Sequence, residues 1–120
     1  MHNQNELPPP GGHYSAAMRA GDFVFTAGQT PRDLDRRVVG TDIETQTVTT
    51  IQNLEAALKS VGADLDQVVK VTVHLSTLSD FKAFDVVYAR YFTKSKPVRT
   101  TVGSELNGVL VEIDAVAFVG

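Results

Sequence analysis

Apolar side chains recur three and four positions apart in two segments of the chain, and this spacing is typical of helices with one buried face. The first helix is expected to begin at the capping box of residues 41–44 (Thr-Asp-Ile-Glu) and to end at Gly62. The second is expected to begin near Thr77–Asp80 and to end at about Phe92, before a break at Lys94–Pro97. The residues on the two apolar faces are Ile51, Leu54, Leu58 and Val61 in the first helix and Phe81, Phe84, Tyr88 and Tyr91 in the second.

Five further segments have the residue types and the alternation of β-strands. Two short strands are expected near residues 14–19 and 23–27, and a third is expected over residues 68–75. The last two strands lie on either side of the turn signal Asn107-Gly108, and we expect them to pair as a hairpin. In the third strand, one face is expected to carry Val69, Val71, Val73 and Leu75.

The resulting element order is β-β-α-β-α-β-β. Two amphipathic helices on one face of a mixed β-sheet predict an α+β sandwich. The last strand, Val109 to Val119, is apolar on both faces, although helices on one side would leave the other side to water. Its second apolar face therefore predicts burial against another subunit, which makes the protein a homo-oligomer.

Length and composition restrict the class of protein. At 120 residues we expect one domain over 1–120, with the Pro- and Gly-rich residues 1–12 as a flexible N-terminal arm. A formal net charge of −3 offers no basic surface for nucleic acid. The chain has no cysteine, no apolar stretch long enough to span a bilayer and no signal-peptide pattern, so we expect a cytoplasmic protein with no membrane partner.

Several kinds of catalytic site lack the residues that they need. His2, His13 and His74 do not have the spacing of metal ligands, so no metal is expected. Ser15 has no evident His–Asp partner set for a nucleophilic triad. The glycines do not stand in the strand–loop–helix context of a phosphate-binding loop.

Arg99 and Glu112 are the candidate chemical groups. Arg99 follows Pro97-Val98 at the start of a strand, where its guanidinium could bind a carboxylate through two hydrogen bonds or form a surface ion pair. Glu112 lies between apolar neighbours, where it could pass protons through a water or pair with a cation across the strands. Asp114 shares its face and could act with it or face solvent. The Tyr14 hydroxyl could point into a cleft, or its ring could pack at a rim.

Seven segments form a wider pattern that covers nearly the whole chain. They are Gly12-His13-Tyr14-Ser15, residues 24–31 (VFTAGQTP), 52–58 (QNLEAAL), 69–73 (VKVTV), 87–92 (VYARYF), Pro97-Val98-Arg99 and 111–117 (VEIDAVA). In this order they resemble the Rid family of reactive intermediate deaminases, also called the YjgF family.

The resemblance implies a chorismate-mutase-like fold and a homotrimer with clefts between subunits. It implies hydrolysis of 2-imino acids and their enamine tautomers to 2-oxo acids and ammonia, with no metal or organic cofactor. By resemblance, Arg99 would bind the substrate carboxylate and Glu112 would position water. Tyr14 would lie at the cleft mouth, and Thr101 and Gly28 would contribute backbone groups to the cleft.

The chain departs from the family pattern at positions that bear on substrate range. Ala27 stands where the family often has Ser or Thr, and Asp85 replaces the usual Asn of the second helix. The turn Leu106-Asn107-Gly108 lacks the usual proline. These differences affect substrate range more than fold.

Two other functions remain as alternatives. The first is a trimeric protein that binds a 2-oxo acid or a similar carboxylate, or has a regulatory role, without turnover. Retention of both Arg99 and Glu112 favours the enzyme, because binding alone needs only the arginine. The second is RNA cleavage, also associated with the family, and the acidic net charge argues against it.

Overall fold

The computed structural model describes residues 6–120, so the first five residues of the expected N-terminal arm lie outside the described residues. Within this range, seven helices and strands follow in the expected order β-β-α-β-α-β-β. They are β1 (Ala17–Ala20), β2 (Phe23–Thr26), α1 (Ile43–Lys59), β3 (Val68–Leu75), α2 (Phe81–Tyr91), β4 (Val98–Gly103) and β5 (Val111–Phe118). Short 3₁₀ turns, Leu65–Gln67 and Leu78–Asp80, precede β3 and α2.

The five strands form one mixed sheet in the order β1-β2-β5-β3-β4. β3 and β4 run parallel, because α2 carries the chain back across the sheet between them, and the other pairs are antiparallel. The α+β class is therefore confirmed. The expected hairpin between the last two strands is wrong: β3 lies between β4 and β5, and the connection that contains Asn107-Gly108 crosses to the far side of β3.

The hydrophobic core lies between the two helices and one face of the sheet. Alternate side chains of β5, at positions 111, 113, 115 and 117, are buried there together with the expected apolar faces of both helices. A bulge between Val68 and Lys70 shifts the alternation at the start of β3. Val68 is therefore buried, whereas Val69, which was expected on the core face, is 44% exposed.

The opposite face of the sheet has no helix among the described residues and carries large apolar side chains. We call this surface the open face and define it by Met18, Phe23, Phe25, Val116 and Phe118, which are paired across β1, β2 and β5. The Phe23 and Phe118 rings lie 5.3 Å apart, and both side chains are more than two-fifths exposed. The two apolar faces predicted for the last strand are present. Neither helix in residues 6–120 is long and apolar enough to cross a membrane.

The described part of the expected arm contacts the rest of the chain. Pro8 is buried, and the Pro9 carbonyl accepts a hydrogen bond of 2.8 Å from Arg36 Nη1. The amide of Gly11 donates to the Tyr14 hydroxyl at 3.0 Å. These contacts attach Pro9 and Gly11 to Arg36 and Tyr14.

Helix α1 begins one residue later than the capping motif predicted. Asp42 is the N-cap, and its carboxylate accepts a 2.8 Å hydrogen bond from the Thr45 amide. The predicted cap at Thr41 is wrong. Thr41 and Asp42 both have a side-chain oxygen that could cap the helix, but it is Asp42 that has the extended backbone at the N-cap position. The hydrogen bond from the Thr45 backbone lowers the pKa of Asp42.

We expect Asp42→Ala to lower the midpoint of thermal unfolding by several degrees at neutral pH, because the Thr45 amide loses its partner. The folded-state pKa of Asp42 lies below its ordinary value of 3.8, so this stabilisation exists above that pH and disappears as the pH falls further. Calorimetry across pH measures both effects, with Thr41→Ala as the matched control. An equal loss in the control would contradict the assignment of the cap.

Candidate active site

Three of the five predicted site residues line one cleft of about 230 Å³ at the end of the sheet: Tyr14, Gly28 and Glu112. Glu112 is the second residue of β5, and its cross-strand partner is His74 on β3. Gly28 follows β2 in a loop that is fixed to β5 by two backbone hydrogen bonds between Gln29 and Ile113, of 2.7 and 3.0 Å. The loop and the strand therefore hold Gly28 and Glu112 side by side.

Gly28 leaves free the space that the Glu112 carboxyl group occupies. A Cβ at position 28 would lie 2.8 Å from Cδ of Glu112, closer than real side-chain contacts allow. Any larger residue would displace the carboxylate unless the loop moved. The sequence showed the glycine, but only the fold shows which side chain needs the space.

The cleft also contains two arginines that no pattern in the sequence indicates as site residues, Arg32 and Arg36. Arg32 donates to the carbonyls of Arg36 and Asn107, at 3.1 and 2.9 Å, and its buried Nε has no hydrogen-bond partner within residues 6–120. Arg36 donates to Pro9, as described above. These hydrogen bonds go to neutral carbonyls and hold both guanidinium groups at the wall of the cleft.

Asp114 lies two residues beyond Glu112 and on the same face of β5. Burial raises the pKa of Asp114, while the charges of His74 and Lys70 oppose that rise. His74 is itself oriented by a 2.7 Å hydrogen bond between Nδ1 and Ser104 Oγ. Within residues 6–120, no group of three His, Asp or Glu side chains is close enough to hold a metal ion.

Arg99 lies on the edge strand β4, against helix α2. Its Nη1 donates to Asp85 Oδ1 at 2.7 Å, and its guanidinium carbon lies 4.6 Å from the centre of the Tyr88 ring. The rings of Phe81 and Phe84 are 5.5 and 5.7 Å away. This aromatic surface fixes the guanidinium by cation–π attraction and packing, and the side chain is only 20% exposed.

A second cavity, of about 390 Å³, opens beside Arg99. Its walls include Tyr88, Phe92 and Pro97, and its charged residues are Asp85, Lys96 and Arg99. Burial raises the pKa of the Tyr88 hydroxyl, and the positive charge of Arg99 partly offsets that rise. The cavity combines an apolar wall with a cation, a combination suited to a small carboxylate.

Within one chain, Arg99 and Glu112 do not meet. Arg99 aligns with Val71, which aligns with the buried Ala115, so Arg99 points to the helix-covered face. Glu112 aligns with His74 and points to the other face. The expectation that a hairpin brings the two groups together is therefore wrong, because β3 separates their strands and the two side chains have opposite directions.

Thr101 belongs with Arg99. It is two residues further along β4, opposite Val73, and so shares the helix-covered face. The predicted site residues thus divide into two groups: Tyr14, Gly28 and Glu112 line the first cleft, whereas Arg99 lines the second cavity and Thr101 shares its face of β4.

Comparison with known proteins agrees with the fold. The family model described as endoribonuclease L-PSP matches residues 4–119. A RutC family protein of Pyrococcus abyssi is 46% identical over 116 residues, which cover 94% of this chain and 91% of the relative. The Rid-family protein YyfA of Yersinia pestis has a TM-score of 0.89 at 32% identity, with 98% and 96% of the two chains covered. TdcF of E. coli, solved with bound serine, has a TM-score of 0.88 at 28% identity, with 98% and 95% covered. The chain therefore belongs to the Rid family, also known as the YjgF family.

Proposed function

We propose that the protein hydrolyses 2-imino acids and their enamine tautomers to 2-oxo acids and ammonia, at a site that two protomers build together. The observation behind this proposal is that Arg99 and Glu112 of one chain lie on opposite faces of the sheet. Each group lies in a preformed cleft, and neither cleft is lined by both Arg99 and Glu112. A neighbouring copy supplies the missing half.

The open face supports assembly. Its aromatic side chains, Phe23, Phe25 and Phe118, are exposed together on neighbouring strands, and burial of such a patch favours association. In a closed ring of identical subunits, unlike edges of neighbouring subunits meet. A ring of three with the open faces turned inward would bring the β4 edge of one protomer to the β1–β2 side of the next, where the Glu112 cleft lies.

Arg99 is suited to hold the substrate carboxylate. Asp85 accepts from Nη1, which leaves further N–H donors of the guanidinium for the substrate. A hydrogen bond between two charged groups contributes about 1.5–3 kcal/mol in such a setting. The backbone groups of Thr101 and of the partner protomer's Gly28 loop would orient the rest of the substrate, with Tyr14 at the mouth.

Glu112 is suited to move the protons. A protonated imine is already electrophilic, so a positioned water can attack its carbon while Glu112 takes a proton from that water. The product of addition carries a hydroxyl and an amino group on one carbon. Glu112 then gives its proton to the nitrogen, the carbon–nitrogen bond breaks, ammonia leaves, and the hydroxyl proton passes to solvent as the carbonyl forms. Each step uses only water and this carboxyl group.

Binding of a carboxylate without turnover is the second candidate, and the serine found in the related TdcF structure is compatible with it. The presence of Glu112 in a cleft, with Gly28 leaving room for its carboxyl group, favours the enzyme. RNA cleavage, which the description of the family model names, has less support because the net charge is −3. The absence of cysteine is compatible with the reducing cytoplasm, where we place the reaction.

The proposed reaction can be tested with imines that are generated in the assay mixture. An amino-acid oxidase generates 2-iminopropanoate or 2-iminobutanoate, and semicarbazide traps the imine that survives. We expect the protein to reduce the trapped adduct. Unchanged adduct with several amino acids, at protein concentrations that keep the oligomer intact, would favour binding without turnover.

We expect Arg99→Ala and Glu112→Gln each to lower deaminase activity about a hundredfold while the chain stays folded, since each removes one half of the site. The two inactive variants, mixed and refolded at equal ratio, should recover about a quarter of the wild-type activity, because that share of sites joins an intact Arg99 to an intact Glu112. Each variant refolded alone is the control. No recovery in the mixture would exclude a site shared between protomers.

We expect Phe25→Glu to reduce the oligomer to monomers, because it places a charge in the surface that assembly would bury. Analytical ultracentrifugation measures the mass, and circular dichroism checks that the monomer keeps its fold. Val86→Glu, on the exposed side of α2, makes the same change at an exposed valine and should leave the mass unchanged. A wild-type monomer, or a Phe25→Glu oligomer, would rule out assembly through the open face.

A further inference from the structure

Arg99 already has a carboxylate partner within its own chain. Asp85 Oδ1 lies 2.7 Å from Nη1 in a contact that is part-buried on the arginine side, while the Asp85 side chain is 46% exposed. Both residues line the same cavity, together with Lys96. A ligand carboxylate that binds Arg99 must therefore lie close to the negative charge of Asp85.

Contacts other than the one with Asp85 also hold Arg99 in place. The guanidinium packs over the Tyr88 ring at 4.6 Å and lies within 5.7 Å of two phenylalanine rings. The strand that carries Arg99 is fixed by its parallel register with β3. The main effect of Asp85 on this site is therefore electrostatic: it offsets part of the positive charge that a ligand meets.

Substrate and product of the proposed reaction differ in charge. The protonated imine carries a cationic nitrogen one carbon away from its carboxylate, so it is a zwitterion with no net charge. The 2-oxo acid has the same carboxylate and no cation. In the zwitterion, the attraction of the cationic nitrogen to Asp85 offsets part of the repulsion between Asp85 and the substrate carboxylate, whereas nothing offsets the repulsion of the product carboxylate.

We infer that Asp85 is a specificity-determining residue that makes the Arg99 pocket favour zwitterionic imino acids over anionic 2-oxo acids. The inference rests on the proposed function and adds a role in product release. A pocket with Arg99 alone would hold the product about as firmly as the substrate by its carboxylate. With Asp85 in place, hydrolysis removes the cation that made the ligand acceptable, and the product leaves more readily.

The test is a binding comparison that needs no turnover. The probes are 2-oxobutanoate, which is an anion, and L-2-aminobutanoate, which is a stable zwitterion of similar size, and calorimetry gives the Kd of each. Asp85→Asn keeps the shape and an acceptor oxygen for Arg99 but removes the charge. We expect it to tighten 2-oxobutanoate binding about tenfold and to change the zwitterion about twofold or less.

Asp66→Asn is the matched control, because it removes the same charge from a residue that pairs with Lys94 rather than Arg99. It should leave both Kd values unchanged. In the imine assay, Asp85→Asn should show a lower inhibition constant for 2-oxobutanoate, with a smaller change in KM. Equal changes for both probes, weaker 2-oxobutanoate binding, or no binding of 2-oxobutanoate by either protein would overturn the inference.

The experiments distinguish a failure of the proposed function from a failure of the role of Asp85. A wild-type protein that discriminates between the probes through Asp85 but consumes no imine would keep this role for Asp85 in a binding protein. A wild-type protein that consumes imine while Asp85→Asn leaves the ratio of the two Kd values unchanged would keep the enzyme and remove the role.

Discussion

The pairing of β3 with β4 on one side and β5 on the other determines where chemistry can take place in this protein. In a sheet, residues aligned across strands share a face, so the register alone assigns Arg99 to the helix-covered face and Glu112 to the open face. No rotamer change can bring the two side chains together through the packed layer between them. A site that uses both groups must therefore include a second chain.

The environment of Arg99 shows how a charged group can be kept near a hydrophobic core. Its guanidinium is close to three aromatic rings and is bonded to one carboxylate at the rim. The rings favour the cation by their negative faces, and the remaining desolvation is limited because Asp85 stays half exposed. The result is a guanidinium that packing holds rigidly and whose positive charge Asp85 partly offsets. Rigidity of this kind is what a carboxylate anchor needs to orient a small substrate.

The sequence was sufficient for the elements and their order, because the apolar spacing in α1, α2 and β5 reflects which face is buried. The predictions from sequence were wrong where contacts between distant segments determined which of two local structures forms. The turn signal at Asn107-Gly108 suggested a hairpin, but a parallel β3–β4 pair leaves β5 a place between β2 and β3. The bulge at Val68–Lys70 likewise moved Val69 to the surface, and no local pattern marks it.

The sequence predicts candidate cleft residues best where their position depends on local structure. Gly28 and Glu112 stand in segments whose pattern is specific, and the fold brings them together with Tyr14. Arg32 and Arg36 were missed because a charged loop looks the same whether it faces solvent or folds over a cleft. The relation between Asp85 and Arg99 depends on the packing of α2 against β4, which residue spacing does not reveal.

Strand β5 contributes to the core, to the Glu112 cleft and to the open face. Its odd-numbered residues fill the core, while its even-numbered residues run from Glu112 and Asp114 at one end to Val116 and Phe118 at the other. The open face thus changes along one strand from acidic, beside the cleft, to apolar, beside the Phe23 and Phe25 rings of β2. Burial of the apolar end by another copy would exclude water from the neighbourhood of the acidic end, and electrostatic interactions strengthen as water leaves. Because the same strand bears both, the surface that the proposed assembly would bury lies next to the Glu112 carboxyl group, and its burial would change the surroundings of that group.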